Sequence, residues 1–205
     1  METRWEVPMA RSFYKVGRVI LGWVIANLLG VAAIGVLILI LPFLTFLPRM
    51  LVSTLIIGLP IGLAQWIALR RIAPISAVWV FTISAGLLLG LVVVNSPITA
   101  GVWGFRDDES ILSLTAVCTT IGLIVGLIQW LFLRGHFIKS WVWLLSSAFG
   151  LGLGIGLVLA SDLINQSGEI SIILVALGYA ITTGLGISWM RASETMIESN
   201  LVNAT

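Results

Sequence analysis

The chain is poor in charge, and this scarcity is the first constraint on its class. Only 10% of its 205 residues are Asp, Glu, Lys or Arg, whereas 59% are hydrophobic. Its mean hydropathy is +1.12. A soluble globular domain carries about 25% charged residues. The composition therefore excludes an ordinary soluble domain and indicates a multi-pass membrane protein.

Cysteine and histidine are almost absent, with one of each, Cys118 and His136. A single cysteine forms no internal disulfide, and an isolated histidine does not make a metal site, so we expect none. Basic residues form no block that would suggest a nucleic-acid partner. The polar segment 1–16 lacks the compact apolar region and cleavage site of a signal peptide. We therefore expect the first apolar helix to be retained.

Six apolar runs dominate the chain, and each is close to the ~20 residues that cross ~30 Å of hydrocarbon. They fall at about 17–41, 50–69, 76–95, 111–133, 140–160 and 169–190. The runs are continuous rather than alternating, which favours helices over a β-barrel. The predicted fold class is all-α integral membrane, with six transmembrane helices in a domain 17–191, preceded by segment 1–16 and followed by a tail 192–205.

Lysine and arginine are distributed unevenly between the two ends of these helices, which predicts the orientation. One side holds Arg4, Arg11, Lys15, Arg18, Arg70, Arg71, Arg134, Lys139 and Arg191, and the other holds only Arg49 and Arg106. By the positive-inside rule, both termini are predicted to be cytoplasmic. The bacterial inner (plasma) membrane is the expected location.

A shift of sixty-four residues overlays "GLAQWIALRR" on "GLIQWLFLRG" without a gap. The next helices also match, because Trp79 and Trp143 each precede a glycine by seven residues, as Trp23 does in the first helix. The pattern predicts three parallel helical hairpins, at about 17–72, 73–135 and 136–191. In the third copy, Ser188 stands where glutamine would be.

Tryptophan and arginine close together at a helix end are typical of a membrane interface. The indole prefers a half-buried place with a wet N–H, and a nearby guanidinium can reach lipid headgroups or stack on the ring. The predicted interfacial anchors are Trp66, Arg70, Trp130, Arg134, Trp189 and Arg191. By position, most of the nine tryptophans are interpreted as interfacial.

Gln65 and Gln129 lie five residues before these arginines, and so ~7.5 Å deeper in the membrane. An unpaired amide is costly there, so we expect both glutamines to hydrogen-bond to neighbouring helices. Asn27, midway along the first span, has the same interpretation. The alternative is that these three residues contact a cofactor, since a glutamine oxygen can ligate the magnesium of a chlorophyll. The cofactor is unknown, and the sequence requires none.

Every span contains two small residues four apart, which is typical of helices in close backbone contact. The predicted packing residues are Gly30, Gly58, Gly62, Gly86, Gly90, Gly122, Gly126, Gly150, Gly154 and Gly184. The bundle should therefore be tight, with lipid as its surroundings and little room for a wide pore.

These motifs resemble those of a loosely defined group of multi-spanning membrane proteins of cyanobacteria and some other bacteria. The resemblance is carried by two GxxQWxxLR helix ends, at 62–70 and 126–134, each followed by a helix with one tryptophan and two glycines. It covers about 17–191 and implies a six-span core but no particular activity. A cyanobacterial origin would imply the thylakoid membrane as the location.

The sequence contains no recognisable catalytic set, since carboxylates and histidine are missing from the apolar interior, where proton-handling membrane proteins usually place them. Asp107, Asp108 and Glu109 lie in a loop, and a solvated loop or a weak cation site explains them. The leading hypothesis is a non-enzymatic accessory or scaffold protein that packs against lipid, pigment or a larger membrane complex. The alternatives are a neutral small-solute carrier or substrate-binding component, and a pigment-binding protein of a photosynthetic membrane.

Overall fold

The structure is a computed structural model that describes residues 6–40, 49–96, 111–160 and 168–204. Within these ranges, side chains are described for 17–34, 54–96, 112–159, 171 and 173–190. All regular structure in this part of the chain is helical. The acidic loop residues 107–109, the side chain of Arg191 and the side chains of the tail lie outside the described residues.

In the part of the chain that the structure describes, six α-helices and one 3-10 helix follow one another. They are α1 (Glu6–Ile40), α2 (Arg49–Leu69), the 3-10 helix η1 (Ala77–Phe81), α3 (Thr82–Val94), α4 (Ile111–Leu133), α5 (Trp141–Ala160) and α6 (Gly168–Ala204). Five described segments are long and apolar enough to cross a membrane, and the apolar part of α2, Thr54–Leu69, is shorter. The chain is thus an all-helical protein of the multi-pass membrane type, and the count of six spans stays a prediction.

The first and last helices extend beyond the predicted spans, to 35 and 37 residues. Their polar extensions contain good helix formers, such as the alanine, glutamate and methionine of "RASETMIES". Hydropathy marks only the part of a helix that suits hydrocarbon, and helix propensity continues past that boundary.

The third span, predicted as one helix, begins with η1. Ser76 caps this turn, since its hydroxyl accepts a hydrogen bond from the backbone N–H of Val78 at 3.3 Å. The Thr82 hydroxyl then donates to the carbonyl of Trp79 at 2.7 Å, at the junction with α3. An apolar pattern does not distinguish these two helix types, because it reports burial rather than hydrogen-bond register.

The six α-helices form a closed ring in chain order, because each contacts the next and α6 returns to contact α1. Large buried side chains lie on the inner side of the ring, and leucines and isoleucines such as Leu29, Leu89 and Leu157 are exposed on the outside. In a membrane this outer surface faces lipid or another apolar protein surface.

Glycines lie where neighbouring helices of the ring approach most closely. A Cβ atom added to Gly30 in α1 would lie 2.7 Å from the Cα of Ile61 in α2, and one added to Gly86 would lie 2.7 Å from the Cα of Val125 in α4. The other predicted packing glycines face the next predicted span along the chain, namely Gly58, Gly62, Gly90, Gly122, Gly126, Gly150 and Gly154, except that Gly184 in α6 faces α1. The distance between neighbouring helices therefore depends on glycine, which has no side chain, at these positions.

Replacement of Gly30 by alanine should force α1 away from the backbone of α2. Overpacking of this kind destabilises proteins by about 1–3 kcal/mol. The matched control is Gly22→Ala on the same helix, where an added Cβ meets nothing within 4 Å. Thermal unfolding in mild detergent, followed by circular dichroism, should show a lower midpoint for Gly30→Ala only. Equal midpoints for the two variants would contradict the assigned contact.

Candidate functional site

Three tryptophans converge inside the ring. Trp23, Trp79 and Trp143 are 2%, 0% and 0% exposed. The ring centroids of Trp23 and Trp143 are 5.5 Å apart and those of Trp79 and Trp143 are 5.9 Å apart, both in edge-to-face contact. These three indoles are packed inside the bundle, whereas most of the nine tryptophans were predicted to be interfacial, and that wider prediction stays open. Their shared spacing from a glycine was the available signal, because it placed them on the packed face of each helix.

A directed chain of side-chain hydrogen bonds crosses the ring beside these tryptophans. The Tyr179 hydroxyl donates to Oε1 of Gln129 at 3.2 Å, and Nε2 of Gln129 donates to Oε1 of Gln65 at 3.2 Å. Nε2 of Gln65 donates to Oδ1 of Asn27 at 2.8 Å, and Nδ2 of Asn27 donates to the carbonyl of Trp23 at 2.9 Å. Because every donor points the same way, the bonds polarise one another and strengthen cooperatively.

Further bonds join this chain to the remaining helices. The indole N–H of Trp143 donates to Oε1 of Gln129 at 3.0 Å, and Nε2 of Gln129 also lies 3.3 Å from the Thr82 hydroxyl. The indole N–H of Trp23 donates to the Thr183 hydroxyl at 2.9 Å. We call the resulting set the polar layer; it comprises Trp23, Asn27, Gln65, Thr82, Gln129, Trp143, Tyr179 and Thr183. All six helices contribute to it.

The sequence-predicted polar residues meet in this layer. Gln65 and Gln129 are 0% exposed and Asn27 is 1% exposed. The expectation that the two glutamines bond to neighbouring helices is confirmed. The oxygen of Gln129 accepts two hydrogen bonds and that of Gln65 accepts one, and both side chains are buried away from the bundle surface. Tyr179, Thr82 and Thr183 were not predicted, since nothing in their local sequence distinguishes them from other hydroxyl residues of apolar helices.

A cavity of about 400 Å³ lies between the helices on one side of the polar layer. We call it the central cavity. It is lined by Asn27, Val31, Ile34, Ile56, Ile57, Ile61, Ile83, Leu87, Val125, Leu151, Ile155, Ser171, Val175, Ala176 and Tyr179. All six helices are represented. The sequence did not predict this cavity, because it arises from the way the ring closes.

The direction and depth of the cavity follow from helix geometry. Asn27 and Tyr179 belong to both the polar layer and the lining, and so mark its inner end. From there the lining extends ~10 Å along α1 to Ile34 and ~12 Å along α6 to Ser171. Along α2, the lining residue Ile56 precedes Gln65, whereas the anchor residue Trp66 follows it. The cavity therefore extends away from the tryptophan–arginine end of the bundle.

The lining is almost entirely aliphatic. Of its fifteen residues, only Asn27, Ser171 and Tyr179 have polar side chains, and none is charged at neutral pH. A charged ligand group would therefore lose its hydration without gaining a counter-charge, which is strongly unfavourable. The cavity suits hydrocarbon.

Two of the predicted anchors have closely similar geometry at the other end of the bundle. The Arg70 guanidinium lies 4.9 Å from the ring centroid of Trp66, and that of Arg134 lies 5.8 Å from Trp130. The indole N–H groups are bonded within the protein, Trp66 to the carbonyl of Ile75 at 3.0 Å and Trp130 to the Ser140 hydroxyl at 3.1 Å. Each anchor thus fixes the turn that follows it.

The third predicted anchor differs in its surroundings. Trp189 is 58% exposed, and the side chain of its partner Arg191 is outside the described residues.

His136, in the turn after Arg134, is exposed, and its Nδ1 lies 3.1 Å from the carbonyl of Phe132. Among the residues described, no three His, Cys, Asp or Glu side chains are grouped so as to hold a metal ion.

Comparison of the chain with known protein families, curated proteins and solved structures gives no match. The site is therefore interpreted from its own geometry: a saturated polar layer that forms the floor of an apolar cavity.

Replacement of Gln129 by leucine should destabilise the bundle, because Trp143 and Tyr179 would each retain a buried donor without its acceptor. Such unsatisfied groups cost about 1–3 kcal/mol each. Tyr179→Phe is the milder comparison, since Gln129 keeps its bond from Trp143 and one transmembrane hydrogen bond is worth about 0.6 kcal/mol on average. Thermal unfolding in detergent should rank the wild type above Tyr179→Phe and both above Gln129→Leu. A Gln129→Leu variant as stable as the wild type would refute the central role of this residue.

Proposed function

We propose that this chain is a non-enzymatic, multi-pass membrane protein that holds an apolar molecule in its central cavity, as an accessory component of its membrane. The observation that carries the proposal is the cavity itself, lined by all six helices and bounded on its inner side by polar groups that bond to one another.

The size of the cavity supports an occupant. Native protein interiors are close-packed, and their few voids seldom exceed a water molecule. The cavity is partly open to the surroundings of the bundle, since Ile57 of its lining is 41% exposed, so an apolar molecule of the membrane can enter it. Water gains too few polar partners in an aliphatic space to fill it. Ligand sites typically measure about 300–1,000 Å³, so the volume falls in the range of a binding site.

The chemistry of the interior supports a binding role rather than catalysis. Its described buried polar side chains are amides, hydroxyls and indoles. Proton transfer and coupled transport in membranes usually depend on carboxylates, histidines or basic groups at depth. The polar layer instead uses its hydrogen bonds to join helices.

The outer surface supports the accessory or scaffold part of the proposal. Apolar side chains are exposed on every helix of the ring, for example Leu63 in α2, Leu153 in α5 and Leu185 in α6. Such a surface can pack against lipid or against the helices of a larger membrane complex without any polar group to be paired.

The other two functions considered make different demands on the polar layer. A neutral-solute carrier would have to open the layer, because Asn27 and Tyr179 of the layer mark the inner end of the cavity and both are bonded to the other members. A pigment-binding protein would have to bring its pigment to a glutamine oxygen that is fully buried in the layer and does not line the cavity. Retention of an apolar molecule leaves every bond of the layer in place, and this is why we favour it.

We further propose six spans in three hairpins, with both termini in the cytoplasm of a bacterial inner membrane or its thylakoid equivalent. The backbone hydrogen bonds at the ends of α2 and α4 join corresponding residues sixty-four positions apart and have the same lengths, which supports the duplication. Arg70 N–H to Trp66 O and Arg134 N–H to Trp130 O are both 2.9 Å, and Ala73 N–H to Leu69 O and Phe137 N–H to Leu133 O are both 3.0 Å.

A larger side chain in the cavity should displace its occupant. Ala176 lines the cavity, and Ala176→Phe would fill part of it, whereas Ala85→Phe adds the same atoms to an exposed position of α3. Binding of the apolar fluorophore diphenylhexatriene to the detergent-purified protein should fall several-fold in Ala176→Phe and stay unchanged in Ala85→Phe. Equal binding by the two variants would refute the proposed function. An absorption spectrum and mass spectrometry of an organic extract identify any native pigment or lipid.

Cysteine labelling tests the proposed orientation. In a Cys118→Ser background, Gly135→Cys and Asn95→Cys place exposed thiols at opposite ends of the bundle, and a Cβ at position 135 meets nothing within 4 Å. In intact cells, a membrane-impermeant maleimide should label position 95 but reach position 135 only after lysis. The reverse pattern would place the termini outside the cytoplasm.

A further inference from the structure

We infer that the central cavity receives the hydrocarbon tail of a bilayer lipid, inserted tail-first from the leaflet opposite the Trp66–Arg70 and Trp130–Arg134 anchors. This inference rests on the proposed function and deepens it. It names the chemical class of the occupant, the leaflet from which it comes and its direction in the site.

The depth of the cavity matches one leaflet. Its lining extends ~12 Å along α6 from Tyr179 to Ser171, and the hydrocarbon of a whole bilayer is ~30 Å thick. The cavity is therefore about as long as one leaflet of hydrocarbon is thick, and its outer end at Ser171 lies near the end of the predicted span 169–190. An acyl or prenyl chain that enters from this end has the right length.

The shape of the cavity also favours a chain. A volume of about 400 Å³ spread over ~12 Å gives a mean cross-section on the order of 30 Å². This width admits one straight or methyl-branched hydrocarbon chain.

The two ends of the cavity differ in a way that sets the direction of insertion. At the inner end, the side chains of Asn27 and Tyr179 are committed to the polar layer, and the layer continues through the fully buried Gln65 and Gln129. A charged headgroup would find no counter-charge there. At the outer end, the lining reaches position 171, near the end of the predicted span 169–190 and so near the membrane surface. The polar part of the lipid thus remains at the outer end, and the methyl end of the tail lies against the polar layer.

Photocrosslinking with two matched phospholipids tests this arrangement. One lipid carries a diazirine at the methyl end of its acyl chain, and the other carries it next to the ester. Each is incorporated with the full-length protein into lipid nanodiscs, irradiated and mapped by mass spectrometry of peptides. The terminal diazirine should modify the inner end of the cavity, at Tyr179, Ile83 or Val125, and the ester-proximal diazirine should modify the outer end, at Ile34, Ile56 or Ser171.

Crosslinks on the outer surface serve as an internal control. Leu89 and Leu153 are exposed to lipid in any arrangement, so their modification should be the same in the wild type and in Ala176→Phe. Modification of the cavity residues should be lost in Ala176→Phe and retained in Ala85→Phe. A thermal unfolding midpoint close to that of the wild type shows that a variant is folded.

The outcomes separate this inference from the function on which it rests. If diphenylhexatriene binding depends on position 176 but neither lipid modifies the cavity, the site takes a compact apolar molecule, and the lipid-tail inference is wrong. The direction of insertion is wrong if the ester-proximal diazirine modifies the inner end. If neither the fluorophore nor the lipids reach the cavity, the proposed function itself fails.

Discussion

The directed chain of hydrogen bonds from Tyr179 to the carbonyl of Trp23 is the interaction on which the bundle depends. In hydrocarbon, buried amides have no water to bond to, and apolar helices gain little by leaving lipid for one another. Satisfaction of Gln65, Gln129 and Asn27 therefore selects one register among the many that apolar surfaces would tolerate. Since Asn27 lies in α1 and Tyr179 in α6, the chain of bonds is complete only when the ring closes.

Ring closure also explains why the interior is filled at one level and hollow at another. Six helices in a ring enclose a central space that ordinary side chains do not fill. At the polar layer, the indoles of Trp23, Trp79 and Trp143 occupy that space. Farther along, the inward positions carry aliphatic side chains such as Val31 and Ile155, and a cavity of about 400 Å³ remains. The glycine contacts hold adjacent helices close around the ring without filling its centre.

Much of the secondary structure could be predicted from the sequence, because apolar runs near membrane length have few alternatives to a helix. The buried bonding of Gln65 and Gln129 was predictable for a similar reason, since depth alone makes an unpaired amide unfavourable. The partners and the cavity were not predictable. The bond between Trp23 and Thr183 joins residues 160 positions apart, and it exists only because α6 returns to α1. Local pattern also fails to distinguish an indole at an interface from one at the centre of a ring.

Corresponding positions in the two similar segments have taken different roles, and the reason is geometric. Trp143 donates to Gln129, whereas the corresponding N–H of Trp79 is buried without a partner among the described residues, and the oxygen of Gln65 accepts from Gln129. The hydrogen bonds of the polar layer run in one direction through a single centre. Residues at corresponding positions of the two segments therefore have different partners. The position four residues after each inner tryptophan differs in the same way, as Asn27, Ile83 and Ser147. Of these, Asn27 and Ile83 line the cavity, and Asn27 is one of the few polar residues in its otherwise aliphatic wall. Helices of similar sequence therefore contribute different side chains when they meet at one shared centre.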